Sequence, residues 1–101
     1  MAATPEAKVK KQIRQVLDAL GAYYAMPIGT GYGNSGVPDF LVCYNGAFIG
    51  IEAKANGGKP TALQEANMQR IRAAFGHARV VDENNVSGLK DWLCNIKQEN
   101  E

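Results

Sequence analysis

The 101-residue chain has 11 basic and 10 acidic residues, and its formal net charge of +1 neither favours nor excludes a nucleic-acid partner. This length predicts one domain, residues 1–101, around one hydrophobic core. The N-terminus lacks the apolar stretch of a secretory signal, and no apolar run approaches the ~20 residues that span a bilayer. We therefore expect a soluble protein with no membrane partner, in the cytoplasm of a bacterium or of a virus-infected host cell.

Cysteine and histidine usage excludes several kinds of site. Cys43 and Cys94 lie in apolar patterns and form neither a disulfide framework nor a zinc-binding spacing, so we expect small buried side chains. The single histidine, His77, has no metal-ligand companion, and we expect it on the surface or in a turn. Histidine-metal nucleases and Ser–His or Cys–His hydrolases are thereby excluded.

The first predicted element is a helix that begins at Thr4 as N-cap, has Pro5 in its first turn and ends at Gly21. Its apolar stripe consists of Val9, Ile13, Val16, Leu17 and Leu20. A short strand, "AYYAMPI", follows. The next segment, "GTGYGNSG", contains a G-x-G-x-x-G pattern, but an apolar strand follows it where a dinucleotide site needs a helix. We interpret this segment as a flexible loop beside a site.

Two apolar strands, "DFLVCY" and "AFIGIEAK", flank Asn45 and Gly46, which together favour a two-residue type I′ hairpin turn. Both strands are apolar on both faces, so we expect them to be central and covered on both sides. A second helix is predicted from Thr61 to Phe75 with Gly76 as its stop. The strand "ARVV" and a final helix, "VSGLKDWLCNIK", complete an α-β-β-β-α-β-α order.

The hairpin turn determines which charged residues meet. Tyr44 pairs with Ala47, and counting outward places Asp39 directly opposite Glu52 on one face of the sheet. Lys54 projects from that same face, because side chains alternate along a strand. The hydrogen-bonded ladder should open at the preceding rung, because Pro38 has no N–H to donate.

Opposed carboxylates repel each other, so a positive charge is expected between them. Lys54 could supply it alone in a structural Asp–Lys–Glu cluster. A hard divalent cation such as Mg²⁺, with Mn²⁺ substituting, fits better when it is held by Asp39, Glu52 and the backbone carbonyl of Ala53.

Two helical residues are candidates for the same site, and each has a plain structural alternative. Gln64 fits a capping box with Thr61, but it also shares a stripe with Met68, Ile71 and Phe75 that points toward the sheet. Glu6 is favourable near the positive end of the first helix, or it is a third carboxylate for the metal.

The motifs "GVPDFLV" and "GIEAKANGGKPTALQ" resemble the PD-(D/E)xK signature in its virus-type replication-repair nuclease (VRR-NUC) form. The resemblance runs from Glu6 to Trp92. The family's helix glutamate, G-x-P-D strand, E-x-K strand, glycine-containing link and glutamine fall on Glu6, Gly36–Asp39, Glu52–Lys54, Gly57–Gly58 and Gln64. This resemblance implies a restriction-endonuclease-like α/β fold, in which helices flank a mixed sheet and a further helix follows at the C-terminus.

The resemblance also implies metal-dependent phosphodiester hydrolysis. Asp39 and Glu52 would hold Mg²⁺, Glu6 would complete its shell, and Lys54 and Gln64 would act on the attacking water or the phosphate. Candidate DNA-backbone contacts, or simply solvated side chains, are Lys8, Lys11, Arg14, Lys59 and Arg70.

Free-standing members of the family are similar to Holliday-junction resolvases and act as homodimers. We therefore expect a homodimeric, structure-selective endonuclease for branched DNA. The alternatives are a nuclease for flaps or ends, and a module that binds branched DNA without cutting it.

Overall fold

The computed structural model of the protein describes residues 4–28 and 36–96. In these residues the chain forms helix α1 (Pro5–Leu20), strands β1 (Tyr23–Ala25), β2 (Phe40–Tyr44) and β3 (Ala47–Ala53), helix α2 (Ala62–Ala73), strand β4 (His77–Val81), a 3-10 turn (Val86–Gly88) and helix α3 (Leu89–Cys94). The predicted order of elements is confirmed. The glycine-rich loop predicted beside the site falls largely on residues 29–35, outside the described residues.

Helix α1 begins and ends where its capping residues predict. The Thr4 hydroxyl accepts a hydrogen bond from the Ala7 N–H at 3.1 Å, and Pro5 occupies the first turn. Gly21 ends the helix in a left-handed conformation with φ 72°, which glycine adopts without steric cost.

The strands form one mixed sheet in the order β1-β2-β3-β4. The first three are antiparallel, and β4 runs parallel to β3 because α2 connects them as a crossover. The predicted hairpin register is confirmed, with Tyr44 opposite Ala47 and Phe40 opposite Ile51.

Helices cover the two faces of the sheet unequally. Helices α1 and α3 pack on one face, where the largest buried side chains include Ile13, Leu17, Phe40, Ile49, Ile51, Leu89 and Leu93. On the other face, α2 lies against β3 and β4. No helix within residues 4–28 and 36–96 is long and apolar enough to cross a bilayer.

Because α2 lies over β3 and β4, the prediction that both faces of β2 are covered is wrong. Tyr23, Cys43 and Phe48 are directly paired across β1, β2 and β3, so they form one row on the α2 side of the sheet. Tyr23 is 79% and Phe48 46% exposed, and Cys43 is also exposed. The expectation of buried cysteines fails for Cys94 too, which lies exposed at the end of α3.

The end of α2 also differs from the prediction. The helix stops at Ala73, and Phe75 follows with φ 68° and 77% exposure, although its spacing placed it on the sheet-facing stripe. The chain then turns at Gly76, whose N–H donates to the Ile71 carbonyl at 2.9 Å. This early turn lets His77 start β4 opposite Ile49, instead of lying in a turn.

Candidate active site

The ladder between β2 and β3 opens at Pro38, as predicted. Strand β2 begins only at Phe40, and the Ala53 N–H donates to Asp39 Oδ2 at 2.8 Å. The Asp39 carboxylate thus takes the place that a backbone acceptor would have on the missing rung. A side chain at the open end of a hairpin is thereby held rigidly against the neighbouring strand.

Among the described residues, Glu52 is the one charged residue that is buried, with 2% exposure. Its Oε2 atom accepts a hydrogen bond from Gln64 Nε2 at 2.8 Å and lies 3.7 Å from Lys54 Nζ. Within residues 4–28 and 36–96, no hydrogen-bond donor reaches the other oxygen, Oε1, which is buried. An unpartnered carboxylate oxygen is costly in a protein interior, and it is available to a cation.

The ionisation of Glu52 reflects this environment. Burial first, and then the negative charge of Asp39, raise the pKa of Glu52 to about 7, while Lys54 acts in the opposite direction. A carboxyl group with this pKa is partly protonated at neutral pH when no cation is bound. A bound cation would reverse that tendency by favouring the charged form.

Gln64 completes the predicted capping box and also contacts Glu52, while its catalytic role remains a prediction. Its side-chain Oε1 accepts a hydrogen bond from the Thr61 backbone N–H at 2.8 Å. The backbone N–H of Gln64 donates to the Thr61 hydroxyl at 3.2 Å, so the capping box is complete. Its remaining group, the Nε2 amide, donates to Glu52. The cap therefore orients the amide toward the site.

Gly36 allows the loop before Asp39 to contact the start of α2. Its φ is +92°, and a Cβ there would lie 2.7 Å from the Leu63 carbonyl carbon and 2.8 Å from the Gln64 nitrogen. Both the conformation and the space require glycine. The loop and the N-terminus of α2 are thus in direct backbone contact, which keeps Gln64 near Asp39 and Glu52.

Lys54 follows β3 and is fixed through its backbone. Its N–H donates to the Val81 carbonyl on β4 at 3.0 Å. The turn that follows Lys54 is held from the same side, because the Asn56 N–H donates to Glu83 Oε2 at 2.9 Å. Glu83 was not a predicted site residue, and no local sequence pattern links it to a turn 27 positions earlier.

Lys10, which is not among the predicted site residues, also lies at the site. Lys10 Nζ lies 3.7 Å from Glu6 Oε2 and 3.6 Å from Asp39 Oδ1, so one ammonium connects the two carboxylates. The spacing of four positions from Glu6 is an available signal for the first contact. The second contact depends on how α1 packs, which the sequence does not specify.

The donor set fits a hard divalent cation at the two carboxylates of Asp39 and Glu52. Among residues 4–28 and 36–96, no cluster of three or more Asp, Glu, His or Cys side chains is placed to hold a metal. Asp39 and Glu52 offer oxygen ligands, including the unpartnered Glu52 Oε1. One or two carboxylates completed by water and phosphate oxygens are what Mg²⁺ prefers. Glu6 reaches this pair only through Lys10, and its metal role remains a prediction, as does that of the Ala53 carbonyl.

The predicted DNA contacts are all on the surface. Exposed side chains are found at Lys8, Lys11 and Arg14 of α1, at Lys59 before α2 and at Arg70 within α2. This exposure suits either phosphate contact or a solvated surface.

The mixed sheet, its flanking helices and the C-terminal helix define a restriction-endonuclease-like α/β fold. A solved structure described as a VRR_NUC domain is similar to this chain with a TM-score of 0.71 and 26% identity, over 88% of this chain and 97% of that one. This match confirms the resemblance to the VRR-NUC family and indicates a nuclease-family domain. No family model and no curated protein matches the chain.

Proposed function

We propose that this protein is a metal-dependent, structure-selective DNA endonuclease that resolves Holliday junctions as a homodimer. One observation carries the proposal. Asp39, Glu52, Lys54 and Gln64 converge at the open end of the β2–β3 hairpin, and the Glu52 Oε1 atom among them is buried with no hydrogen-bond donor from the described part of the chain. A structural salt-bridge cluster would gain nothing from that orphaned oxygen.

The side chains at this site would have different roles in catalysis. Asp39 and Glu52 would hold Mg²⁺ or Mn²⁺, which when bound polarises the scissile phosphodiester and lowers the pKa of water. Gln64 and Lys54 both contact Glu52 Oε2, which leaves Oε1 as the ligand atom. Lys54 also carries an ammonium group that can donate to the attacking water or to the phosphate as negative charge develops.

Homodimerisation is supported by the exposed row of Tyr23, Cys43 and Phe48. Aromatic side chains contribute up to roughly 200 Å² each to an interface, and the row carries no charge that a second copy would have to compensate. Two copies related by a two-fold axis would bring two active sites to one junction.

Light scattering tests this surface. Tyr23→Ser with Phe48→Ser should give a monomer, whereas Leu63→Ser, at an exposed leucine on α2, should leave the dimer intact.

Cleavage of defined DNA substrates tests the function itself. Labelled four-way junction, flap, single-stranded and linear duplex DNA are incubated with Mg²⁺ or Mn²⁺ and with the wild type, Glu52→Ala or Lys54→Ala. The proposal predicts paired symmetric nicks in the junction by the wild type, and binding without cleavage by both variants. Preferential cutting of flaps or ends would replace resolution with end processing. Binding of junctions with no cleavage of any substrate would leave a non-catalytic module.

A further inference from the structure

Lys10 occupies a position that a simple surface lysine does not need. It lies one helical turn after Glu6, and its side chain is only 33% exposed, whereas the other two lysines of "KVKKQ", Lys8 and Lys11, are exposed. Its ammonium is within 3.7 Å of Glu6 and 3.6 Å of Asp39. A positive charge is therefore already present beside Asp39, one of the two carboxylates proposed to bind a metal ion.

The two oxygens of Asp39 have different partners. Oδ2 is held by the Ala53 N–H at 2.8 Å, a short and well-formed hydrogen bond. Oδ1 lies 3.6 Å from the Lys10 ammonium, which is longer than the roughly 2.8 Å of a strong charge-assisted hydrogen bond. The Asp39 oxygen best suited to an incoming cation is thus the one that Lys10 holds loosely.

We propose that Lys10 is a built-in counter-cation, which neutralises Asp39 in the metal-free protein and competes with the divalent ion for it. This inference rests on the proposed function, because it requires a cation site at Asp39 and Glu52. Glu6 gives the ammonium a second partner that it keeps when a cation takes Asp39 Oδ1. Lys10 then sets how much divalent ion is needed to occupy the site.

A purely structural role for Lys10 predicts a different result. Ion pairs between partly exposed side chains contribute little to stability, so a Lys10 that only linked α1 to Asp39 would leave the Kd of the divalent ion unchanged when its charge is removed. For a competing charge, removal of a unit positive charge a few ångströms from a divalent ion should lower the ion's Kd by about tenfold.

Calorimetric titration of Mn²⁺ into the metal-free protein, without DNA, tests the inference. Lys10→Met keeps the aliphatic stem and removes the charge, and it should bind Mn²⁺ about tenfold more tightly than the wild type. Lys10→Arg retains the charge and should bind like the wild type. Lys11→Met removes an exposed charge from the next position and is the matched control, with a Kd expected within about twofold of the wild type.

The possible outcomes separate this inference from the function on which it rests. Unchanged or weaker Mn²⁺ binding by Lys10→Met, beside a wild type that binds, would overturn the counter-cation role and leave the metal site standing. Equally tight binding by Lys10→Met and Lys10→Arg would show that charge is not the cause, and would also overturn it. A wild type that binds no Mn²⁺ would overturn both. A circular dichroism melt of each variant confirms that the compared proteins are folded.

Discussion

Replacement of Glu52 by glutamine should stabilise the metal-free protein at neutral and alkaline pH. Glu52 is almost fully buried, and none of the described residues donates a hydrogen bond to its Oε1 atom. The introduced amide keeps the size of the side chain and can still accept the hydrogen bond from Gln64. It removes the negative charge whose burial near Asp39 is unfavourable.

The expected magnitude follows from the pKa of Glu52, which is 4.5 in the unfolded chain and about 7 in the folded protein. Between these values the folded state binds more protons, so the stability associated with this group is complete below pH 4.5 and is lost as the pH rises through 7. By pH 8 the loss amounts to about 3 kcal/mol. The side chain of residue 52 does not titrate in Glu52→Gln, so this variant should not lose that stability as the pH rises.

Urea denaturation in EDTA at pH 4.5 and pH 8 measures the effect. The free energy of unfolding of Glu52→Gln should exceed that of the wild type by up to about 3 kcal/mol at pH 8, and the difference should shrink strongly at pH 4.5. Glu65→Gln, which removes an exposed carboxylate from α2, is the control and should show no comparable gain. If Glu52→Gln is no more stable than the wild type at pH 8, or if its advantage grows toward acid pH, burial of a charged Glu52 does not destabilise the folded protein.

Three further predictions concern the groups around this carboxylate. Lys54→Met should slow single-turnover cleavage by about 100-fold or more while DNA binding changes only a few-fold; a rate near that of the wild type would remove Lys54 from the chemistry. Gly36→Ala should destabilise the protein by about 1–3 kcal/mol in urea denaturation. Gly57→Ala, at φ +76° but in open space, should cost less, and equal losses would contradict the contact between the loop and α2. Glu83→Ala should reduce the cleavage rate by loosening the turn at Asn56, whereas Glu83→Gln keeps an acceptor and should retain most of the rate; equal losses in both would refute this positioning role.

The hairpin and its charged residues were predictable because a two-residue turn leaves no freedom in register. Once Asn45 and Gly46 occupy the turn, Tyr44 must face Ala47, and Asp39 arrives beside the end of β3. The opening of the ladder was predictable for an equally local reason, since Pro38 has no N–H. Contacts between residues that are set by strand pairing can therefore be predicted from the sequence.

Features that depend on helix placement were not predictable. The apolar pattern of β2 suits a strand covered on both faces, but α2 lies over β3 and β4, which leaves Cys43 exposed. Likewise, Lys10 differs from Lys8 and Lys11 only because of the face of α1 that approaches Asp39. The helical periodicity of a basic segment does not indicate which of its lysines contacts a carboxylate on another element.

Anomalous diffraction from a crystal soaked in Mn²⁺ tests the central claim most directly, because it locates the ion without reference to any DNA substrate. We expect the strongest peak to have Asp39 Oδ1 and Glu52 Oε1 as ligands at about 2 Å. We also expect this peak to be absent from a crystal of Glu52→Gln soaked in the same way. A wild-type crystal with no peak between Asp39 and Glu52, or with ions bound only at carboxylates elsewhere on the surface, would contradict the proposed metal site.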